Sequence, residues 1–218
     1  MEPTNHPGVW RLGRDLFTLN GEPGRKVYGE DLRIDGGREY RRWDPFRSKL
    51  AAFLAKDRLT QLWRAPTTVL YLGGAHGTTV SHLADALPEA EIYVVEKSPV
   101  AFAPLLALAR RRRNLLPILA DAQLPERYLA DVGRVDLLYQ DIAQRNQATI
   151  FADHAEAALR PGGVGLLMLK VRSVTQTRAP GRIVAEARQL LARRGYPVRT
   201  AVELEPFSRE HSALLVAG

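Results

Sequence analysis

Short apolar runs alternate with segments of helical periodicity from residue 68 onward. The first run, 68–72, is apolar after its opening threonine, which is typical of a strand buried on both faces of a parallel sheet. Because strands and helices alternate with short links, the pattern predicts an α/β protein with a doubly wound sheet and right-handed crossovers. Seven strands are predicted, at 68–72, 91–95, 115–119, 135–139, 164–169, 198–204 and 212–217, the last two as a hairpin. Four helices are predicted, at 78–86, 99–112, 146–159 and 180–194.

The N-terminal part of the chain has a different pattern, rich in glycine and charge. Short alternating pieces at 26–29 and 32–34, close to an Asp-Gly-Gly turn, predict a small antiparallel β unit. A helix is expected to follow at 45–56. We therefore predict a small N-terminal β-rich domain over 1–64 and a larger α/β domain over 65–218.

The residues that follow the first three strands indicate a ligand, because ligands of such sheets bind beyond the carboxyl ends of the strands. The glycine-rich turn at 73–79 leads into a helix whose N-terminal amides attract negative charge. It fails the dinucleotide fingerprint, since Ala75 and Thr78 stand where glycines are needed, and it lacks the phosphate-loop lysine. Glu96 could accept hydrogen bonds from both ribose hydroxyls, or could be a solvated acid, and Asp121 could accept one from adenine. Together they predict an adenosine-containing cofactor without a phosphate binder, and S-adenosylmethionine fits best.

An acid and an amine follow the next two strands. Asp141 comes after the fourth strand and Lys170 ends the fifth, so both should lie beside the reactive end of the cofactor. A lysine in a largely apolar strand is costly unless it is paired, so Lys170 near Asp141 is either a structural ion pair or a catalytic one. The chain has only five lysines, which favours catalysis.

The charge balance is basic, with 31 Lys and Arg against 24 Asp and Glu and a formal net charge of +7. The basic residues are 26 Arg and only 5 Lys. Arginine binds phosphate through a planar fork, which favours a polyanionic partner, but heat adaptation or an arginine-rich proteome explains the count equally well. The run 110–113 is either a solvated helix end or a phosphate contact. Of the helical histidines, His82 is expected to be structural and His154 to be solvated.

Several classes of protein are excluded or disfavoured. The chain has no cysteine, which excludes disulfides, thiolate catalysis and cysteine-type zinc or iron–sulfur sites. Its apolar runs are shorter than the roughly 18 to 20 residues of a membrane helix, and residues 1–10 lack a signal-peptide core. We expect a soluble cytoplasmic protein with no membrane partner.

Several motifs resemble those of the fibrillarin family, over nearly the whole chain from about Val27. They are Tyr40-Arg41, 43–52, Tyr71-Leu72-Gly73, 77–82, Asp121-Ala122 with Pro125, 141–144 and 204–211. The resemblance implies a Rossmann-like class I methyltransferase sheet of seven strands whose last strand is antiparallel. Three positions depart from the family pattern, namely His76, Lys97 and Gln123. They bear on cofactor fit and RNA contact.

The resemblance also implies roles for individual residues. Matching the motifs puts S-adenosylmethionine contacts on Gly73, Thr78, Thr79, Glu96, Lys97, Asp121, Ala122, Asp141, Ile142, Ala143 and Gln144. It puts a catalytic tetrad on Lys49, Asp141, Lys170 and His211. No metal is expected, because the methyl group of a sulfonium is already activated.

The activity implied is 2′-O-methylation of ribose in ribosomal RNA, and in some cases transfer RNA, by an archaeal guide-RNA particle. The implied partners are box C/D guide RNA, target RNA, a Nop-domain scaffold protein and a kink-turn-binding subunit related to ribosomal proteins. A methyltransferase for small molecules and a non-catalytic scaffold remain alternatives. Methyl transfer to guided RNA distinguishes them.

Overall fold

The chain is described by a computed structural model over residues 1–57, 60–64, 68–174 and 179–218. The strands of these residues form two sheets, one of five strands and one of seven. The predicted domain boundary falls next to residues 65–67, which lie outside the described residues, and the division into 1–64 and 65–218 stays a prediction.

The N-terminal sheet is antiparallel and has the order β1-β2-β3-β5-β4. Its strands are β1 (Glu2–Pro3), β2 (Val9–Leu12), β3 (Asp15–Leu19), β4 (Leu32–Asp35) and β5 (Arg38–Trp43). The β unit was predicted, and so was most of β4, but the predicted strand at 26–29 is wrong. The amides of Val27 and Tyr28 donate to the carboxylate of Glu30, at 2.9 to 3.1 Å. Because a side chain satisfies these amides, the segment bends instead of joining a strand ladder.

The seven-stranded sheet has the order β11-β12-β10-β9-β6-β7-β8. Its strands are β6 (Thr68–Leu72), β7 (Glu91–Glu96), β8 (Leu115–Leu119), β9 (Val135–Gln140), β10 (Leu159–Lys170), β11 (Val198–Glu203) and β12 (His211–Ala217). The strands from β6 to β10 pair in parallel, and β12 runs antiparallel to both β10 and β11. The prediction of a doubly wound sheet of seven strands with an antiparallel last strand is confirmed. Strand β10 begins five residues earlier than predicted, with a register shift between Leu159 and Val164.

The helices are α1 (Lys49–Lys56), α2 (Thr78–Ala86), α3 (Pro99–Ala109), α4 (Leu129–Val132), α5 (Gln147–Ala158), α6 (Val171–Val174) and α7 (Pro180–Arg193). Five of the helices are close to those predicted, whereas the short α4 and α6 were not predicted. Helix α1 starts at Lys49, four residues later than predicted. Ser48 caps it by accepting a hydrogen bond from the amide of Ala51 at 3.3 Å. The preceding residues form a turn in which Asp44 accepts from the amide of Phe46 at 2.9 Å.

One prediction about a helical residue is wrong. His154 is fully buried, not solvated, because α5 packs this face against the sheet. Its Nδ1 lies 2.7 Å from the carbonyl oxygen of Ile150, and its Nε2 is hydrogen-bonded to the hydroxyl of Tyr128. In the run 110–113 three arginines are exposed, as either predicted alternative requires, whereas Arg112 is only 5% exposed. As expected, His82 is structural: it is buried, stacks on Trp43 and contacts Thr18 through Nδ1 at 2.7 Å.

Arg112 belongs to a buried arginine cluster that connects the N-terminal sheet to α2. Its members are Glu22, Glu30, Arg41, Asp85 and Arg112. Arg41 is fully buried and donates to Glu30 at 2.6 Å, to Asp85 and to the hydroxyl of Ser81 at 2.9 Å. Arg112 donates to Asp85 at 2.9 Å and to Glu22 at 2.5 Å. Every charge in the cluster therefore has an opposite charge as its partner.

The hydrophobic core continues from one sheet to the other. One cluster of buried side chains contains Leu16 and Trp43 of the N-terminal sheet together with Leu83 of α2 and Val94 of β7. This packing fixes the position of α1 beside the carboxyl ends of the seven-stranded sheet. None of the helices in the described ranges has the length and apolar character that crossing a membrane requires.

Candidate active site

The glycine-rich turn after β6 passes close to the end of β9. Gly73 has a φ of +91°, and a Cβ atom there would stand 2.3 Å from the carbonyl oxygen of Asp141. Only glycine fits such an approach. The turn is held by Glu96, whose two carboxylate oxygens accept from the amides of Ala75 and Ser98, each at 2.8 Å. Glu96 therefore fixes the edge of a cleft as well as offering free lone pairs to it.

A cleft opens at the carboxyl ends of β6, β7, β8 and β9. It is lined by Gly73, Ala75, Val95, Glu96, Lys97, Ala120, Ala122, Asp141, Ile142, Ala143 and Gln144. Eight of the eleven residues predicted to contact a cofactor are among them; Thr78, Thr79 and Asp121 are not. Sequence reasoning missed Ala75, Val95 and Ala120, whose small or apolar side chains give no chemical signal.

Asp121 lies at the edge of this cleft. It accepts from the amide of Gln123 at 2.9 Å and from the side chain of Gln144 at 3.1 Å. Partial burial raises the pKa of Asp121, but these hydrogen bonds and the ammonium of Lys97, 3.8 Å away, lower it, and the net shift is downward. The contact with Asp121 is donated by Nε2 of Gln144, and the side-chain oxygen of Gln144, Oε1, is buried and has no partner among the described residues. The cleft thus offers a carboxylate and an unused amide oxygen to a polar ligand.

The four residues of the predicted tetrad come together beside the cleft. Lys49, the first residue of α1, donates to the carboxylate of Asp141 at 2.7 Å. Lys170 and His211 face each other as register partners on β10 and β12. Electrostatic effects of Lys49, Asp141 and Lys170 all reach the imidazole of His211. Four parts of the chain that are far apart in sequence therefore place their charged groups within electrostatic reach of His211.

Lys49, not Lys170, forms the ion pair with Asp141. Both partners stay partly open to solvent, with side-chain exposures of 26% and 19%. Across the ranges that the structure describes, the ammonium of Lys170 makes no hydrogen bond or ion pair. A cation without a fixed counterion beside a cleft is available to a ligand that carries or develops negative charge.

Gln147 holds the backbone of Lys170 and was not singled out from the sequence. Its fully buried side chain accepts from the amide of Lys170 at 2.9 Å and donates to the carbonyl of the same residue at 3.1 Å. Gln147 in turn accepts at its backbone carbonyl from Gln140, at 2.8 Å. The end of β10 is thereby fixed against α5. A glutamine that opens a helix gives no signal of such a contact, because the partner lies 23 residues away.

His211 has one used and one unused ring nitrogen. Nδ1 lies 2.8 Å from the carbonyl oxygen of Arg209, which can only accept, so Nδ1 carries the proton. Nε2 is buried and without a partner among the described residues. Burial lowers the pKa of His211; the Arg209 hydrogen bond opposes this shift, while the charges of Lys49 and Lys170 add to it. The neutral imidazole therefore presents Nε2 as a proton acceptor.

Ser48 and Thr79 connect the tetrad to the glycine-rich turn. The hydroxyl of Thr79 donates to that of Ser48 at 3.0 Å, and both residues are buried. Ser48 is also the cap of α1, so this contact fixes the start of the helix that carries Lys49. Thr78 begins α2 directly after Gly77, whose φ is +87°. Thr78 and Thr79 thus open α2 outside the lining of the cleft, and the hydroxyl of Thr79 is bound to Ser48.

Comparison with known proteins decides the family. The fibrillarin family model matches residues 1–218. This chain belongs to the fibrillarin family. A relative in Methanothermobacter thermautotrophicus, named fibrillarin-like rRNA/tRNA 2′-O-methyltransferase, is 40% identical over 209 residues, which cover 96% of this chain and 93% of the relative.

Solved structures of other fibrillarins superpose on the chain. The fibrillarin pre-rRNA processing protein of Methanococcus jannaschii has a TM-score of 0.93 at 34% identity, covering 100% of this chain and 96% of that one. Aeropyrum pernix fibrillarin, solved with natively bound S-adenosyl-L-methionine, has a TM-score of 0.86 at 40% identity, with coverages of 95% and 92%. The structure of a fibrillarin/Nop5p complex has a TM-score of 0.86 at 38% identity, with 99% of each chain covered. The predicted fibrillarin resemblance is confirmed.

Proposed function

We propose that this chain is an S-adenosylmethionine-dependent methyltransferase that acts on the ribose 2′-oxygen of RNA. The observation that carries the proposal is the tetrad of Lys49, Asp141, Lys170 and His211 at the mouth of a cleft suited to adenosine. The activity named for the Methanothermobacter relative supports it. So does the +7 net charge of the chain, which suits a polyanionic substrate.

The cleft suits S-adenosylmethionine in its shape and its polar groups. Glu96 would accept from the ribose hydroxyls, and Asp121 with Gln144 would bind the adenine. Gly73 lets the glycine-rich turn pass close to the end of β9, which brings the turn and Asp141 to the same cleft. When bound, S-adenosylmethionine supplies a methyl group on a positively charged sulfur, which is activated toward a nucleophile. The bound ligand of the Aeropyrum structure supports this assignment.

The tetrad orients the ribose hydroxyl and manages its proton. Asp141, held by Lys49 at 2.7 Å, would accept a hydrogen bond from the 2′-hydroxyl and align it. The ammonium of Lys170 would stabilise the negative charge that develops on the 2′-oxygen. The single hydroxyl proton would pass from the hydrogen bond with Asp141 to Nε2 of His211 as the 2′-oxygen takes the methyl group, since Nδ1 is already protonated and burial keeps the ring neutral.

We further propose that the chain works as the catalytic subunit of a box C/D guide-RNA particle. Its partners would be the guide RNA, a Nop-domain scaffold protein and a kink-turn-binding subunit. The targets would be ribosomal RNA and transfer RNA in the cytoplasm of an archaeal cell. A solved complex of another fibrillarin with Nop5p, 38% identical to this chain, supports the scaffold partner.

Methyl transfer with and without the assembled particle tests the proposal. We expect transfer to the 2′-oxygen of one guided nucleotide in the particle and little transfer by the chain alone. A methylated 2′-oxygen blocks alkaline cleavage of the next phosphodiester bond, so the product can be mapped. Transfer to a small molecule without RNA would indicate a different methyltransferase. No transfer under any condition would indicate a scaffold.

A further inference from the structure

The end of β10 extends beyond the strand beside it. Strands β9 and β10 last pair between Gln140 and Leu167, whereas β10 continues to Lys170. On its other side β10 stays paired with β12, where Lys170 faces His211. Among the described strands, the last three residues of β10, about 10 Å of chain, therefore have a neighbour on one side only.

The side chain of Gln147 takes the place of the missing strand. Gln147 opens α5 and is fully buried. Its side-chain oxygen accepts from the amide of Lys170 at 2.9 Å, and its side-chain nitrogen donates to the carbonyl of Lys170 at 3.1 Å. One side-chain amide thus satisfies both backbone groups of Lys170, as a residue of a neighbouring strand would.

Gln140 holds Gln147 in turn. The side-chain nitrogen of Gln140, fully buried at the end of β9, donates to the backbone carbonyl of Gln147 at 2.8 Å. The next residue, Asp141, donates its amide to the carbonyl of Leu72 at 2.9 Å. The two glutamines therefore hold the backbone of Lys170 at a set distance from that of Asp141.

The ammonium of Lys170 depends on this backbone for its position. Lys49, the other lysine of the tetrad, is held at its ammonium by Asp141 at 2.7 Å. Within the ranges that the structure describes, the ammonium of Lys170 has no such bond. Its place is therefore set by where the backbone is held, and Gln147 holds it.

We propose that Gln147 is a positioning residue for methyl transfer, which keeps the Lys170 ammonium where negative charge develops on the ribose 2′-oxygen. The inference rests on the proposed function and extends it to a residue that does not line the cofactor cleft. Displacing a group of the reaction centre by about 1 Å lowers a rate about 10²-fold. If Gln147 served the fold alone, its loss would lower stability and leave the rate of each folded molecule unchanged.

A double-mutant cycle in the assembled particle tests the inference. Gln147→Met keeps the length of the side chain and removes both hydrogen bonds to Lys170. We expect it to lower the single-turnover rate of methyl transfer about 10²-fold, with KM for the target RNA and S-adenosylmethionine affinity near those of the wild type. In a Lys170→Ala background the same substitution should change the rate by less than about twofold, because the group that Gln147 positions is gone.

Asn114→Leu is the matched control for loss of stability. The Asn114 side chain also donates to two backbone carbonyls, those of Ala84 and Leu87, each at 3.0 Å. Asn114 directly precedes β8, at the amino ends of the parallel strands and so at the opposite end of the sheet from the tetrad. We expect it to lower the free energy of unfolding in urea, as Gln147→Met does, and to keep the wild-type rate.

The outcomes separate this inference from the proposed function. An unchanged rate in Gln147→Met, or an equal loss with and without Lys170, would overturn positioning through Lys170 and leave the proposed function standing. A loss as large in Asn114→Leu would assign the effect to stability and overturn the inference too. An inactive wild-type particle would overturn both. If Gln147→Met does not fold, Gln147→Glu, which keeps the shape and loses the donor to the Lys170 carbonyl, takes its place in the cycle.

Discussion

The buried arginine cluster and the predicted tetrad both contain charged side chains between the N-terminal segment and the seven-stranded sheet, yet they differ in how completely those charges are paired. In the cluster, Arg41 and Arg112 use their donors on Glu22, Glu30 and Asp85, and Arg41 is fully buried. In the tetrad, only Lys49 and Asp141 pair, and both remain partly open to solvent.

The difference separates charges that hold the fold from charges that are left for a ligand. Buried ions are costly unless every one is paired, and the arginine cluster meets that condition. The tetrad leaves the Lys170 ammonium and Nε2 of His211 without partners among the described residues. Unused donors and acceptors beside a cleft are expected where a substrate supplies the missing contacts. The two regions should therefore respond to mutation in opposite ways.

The largest expected effect is on turnover. Lys170→Ala removes the cation beside the developing charge and should lower the rate of methyl transfer about 10²- to 10⁴-fold. S-adenosylmethionine affinity, measured by calorimetry, should stay near that of the wild type, because Lys170 does not line the cleft. The matched control is Lys26→Ala, which removes an exposed lysine far from the tetrad in sequence. Unchanged turnover in Lys170→Ala would remove this residue from the mechanism.

The second effect is on stability. Arg41→Ala leaves Glu30 buried without its cationic partner and Asp85 with Arg112 alone, and should lower the free energy of unfolding by about 3 to 5 kcal/mol. Urea unfolding measures this change, and Arg14→Ala, at an exposed arginine, is the control. A loss below about 1 kcal/mol, as for a surface ion pair, would mean that the cluster is not a buried structural unit.

Acid should destabilise the fold through His82, which is buried within electrostatic reach of Arg41 and Arg112 of the arginine cluster. Burial lowers the pKa of His82, and the charges of Arg41 and Arg112 lower it further. Below about pH 6.5 the unfolded chain therefore binds a proton that the folded chain does not, so stability falls as the pH falls. The free energy of unfolding should lose about 1.4 kcal/mol per pH unit from His82 between pH 6 and 5. Urea titrations of His82→Gln should show a slope shallower by that amount; an identical slope would refute the assignment.

The smallest effect concerns the cofactor. Glu96→Gln keeps the shape of the side chain and removes its charge, so S-adenosylmethionine should bind about tenfold more weakly. Glu91→Gln is the matched control, at the exposed first residue of the same strand. Calorimetry on both variants measures the change. Equal affinities would mean that Glu96 only holds the glycine-rich turn through Ala75 and Ser98.

The fold was predictable where local pattern and burial agree. The apolar runs of the large sheet are strands because its central strands, such as 68–72, are buried on both faces. The prediction was wrong at 26–29, where Glu30 takes the backbone amides, and His154 was misjudged because its burial depends on the packing of α5. A local contact of one side chain decides the first case and the packing of α5 against the sheet decides the second, and hydrophobic periodicity carries no information on either.

The candidate site was predictable in part. Glu96, Asp121, Asp141 and Lys170 follow strand ends and could be identified from that position alone. Lys49 and His211 were singled out as tetrad members only through family resemblance, since Lys49 opens a helix outside the sheet and His211 follows a hairpin turn. The holding role of Gln147 could not be predicted, because it depends on a contact across 23 residues.

A paired measurement on Lys170→Ala and Arg41→Ala tests the central claim most directly. Both variants are assembled into the guide-RNA particle, and the single-turnover rate of methyl transfer is recorded with the free energy of unfolding of each chain. The account predicts that Lys170→Ala loses its rate and keeps its stability, while Arg41→Ala loses stability and keeps its rate at temperatures where it is folded. If Lys170→Ala kept its rate, or lost rate and stability together, the claim that the tetrad is a reaction centre distinct from the structural cluster would be contradicted.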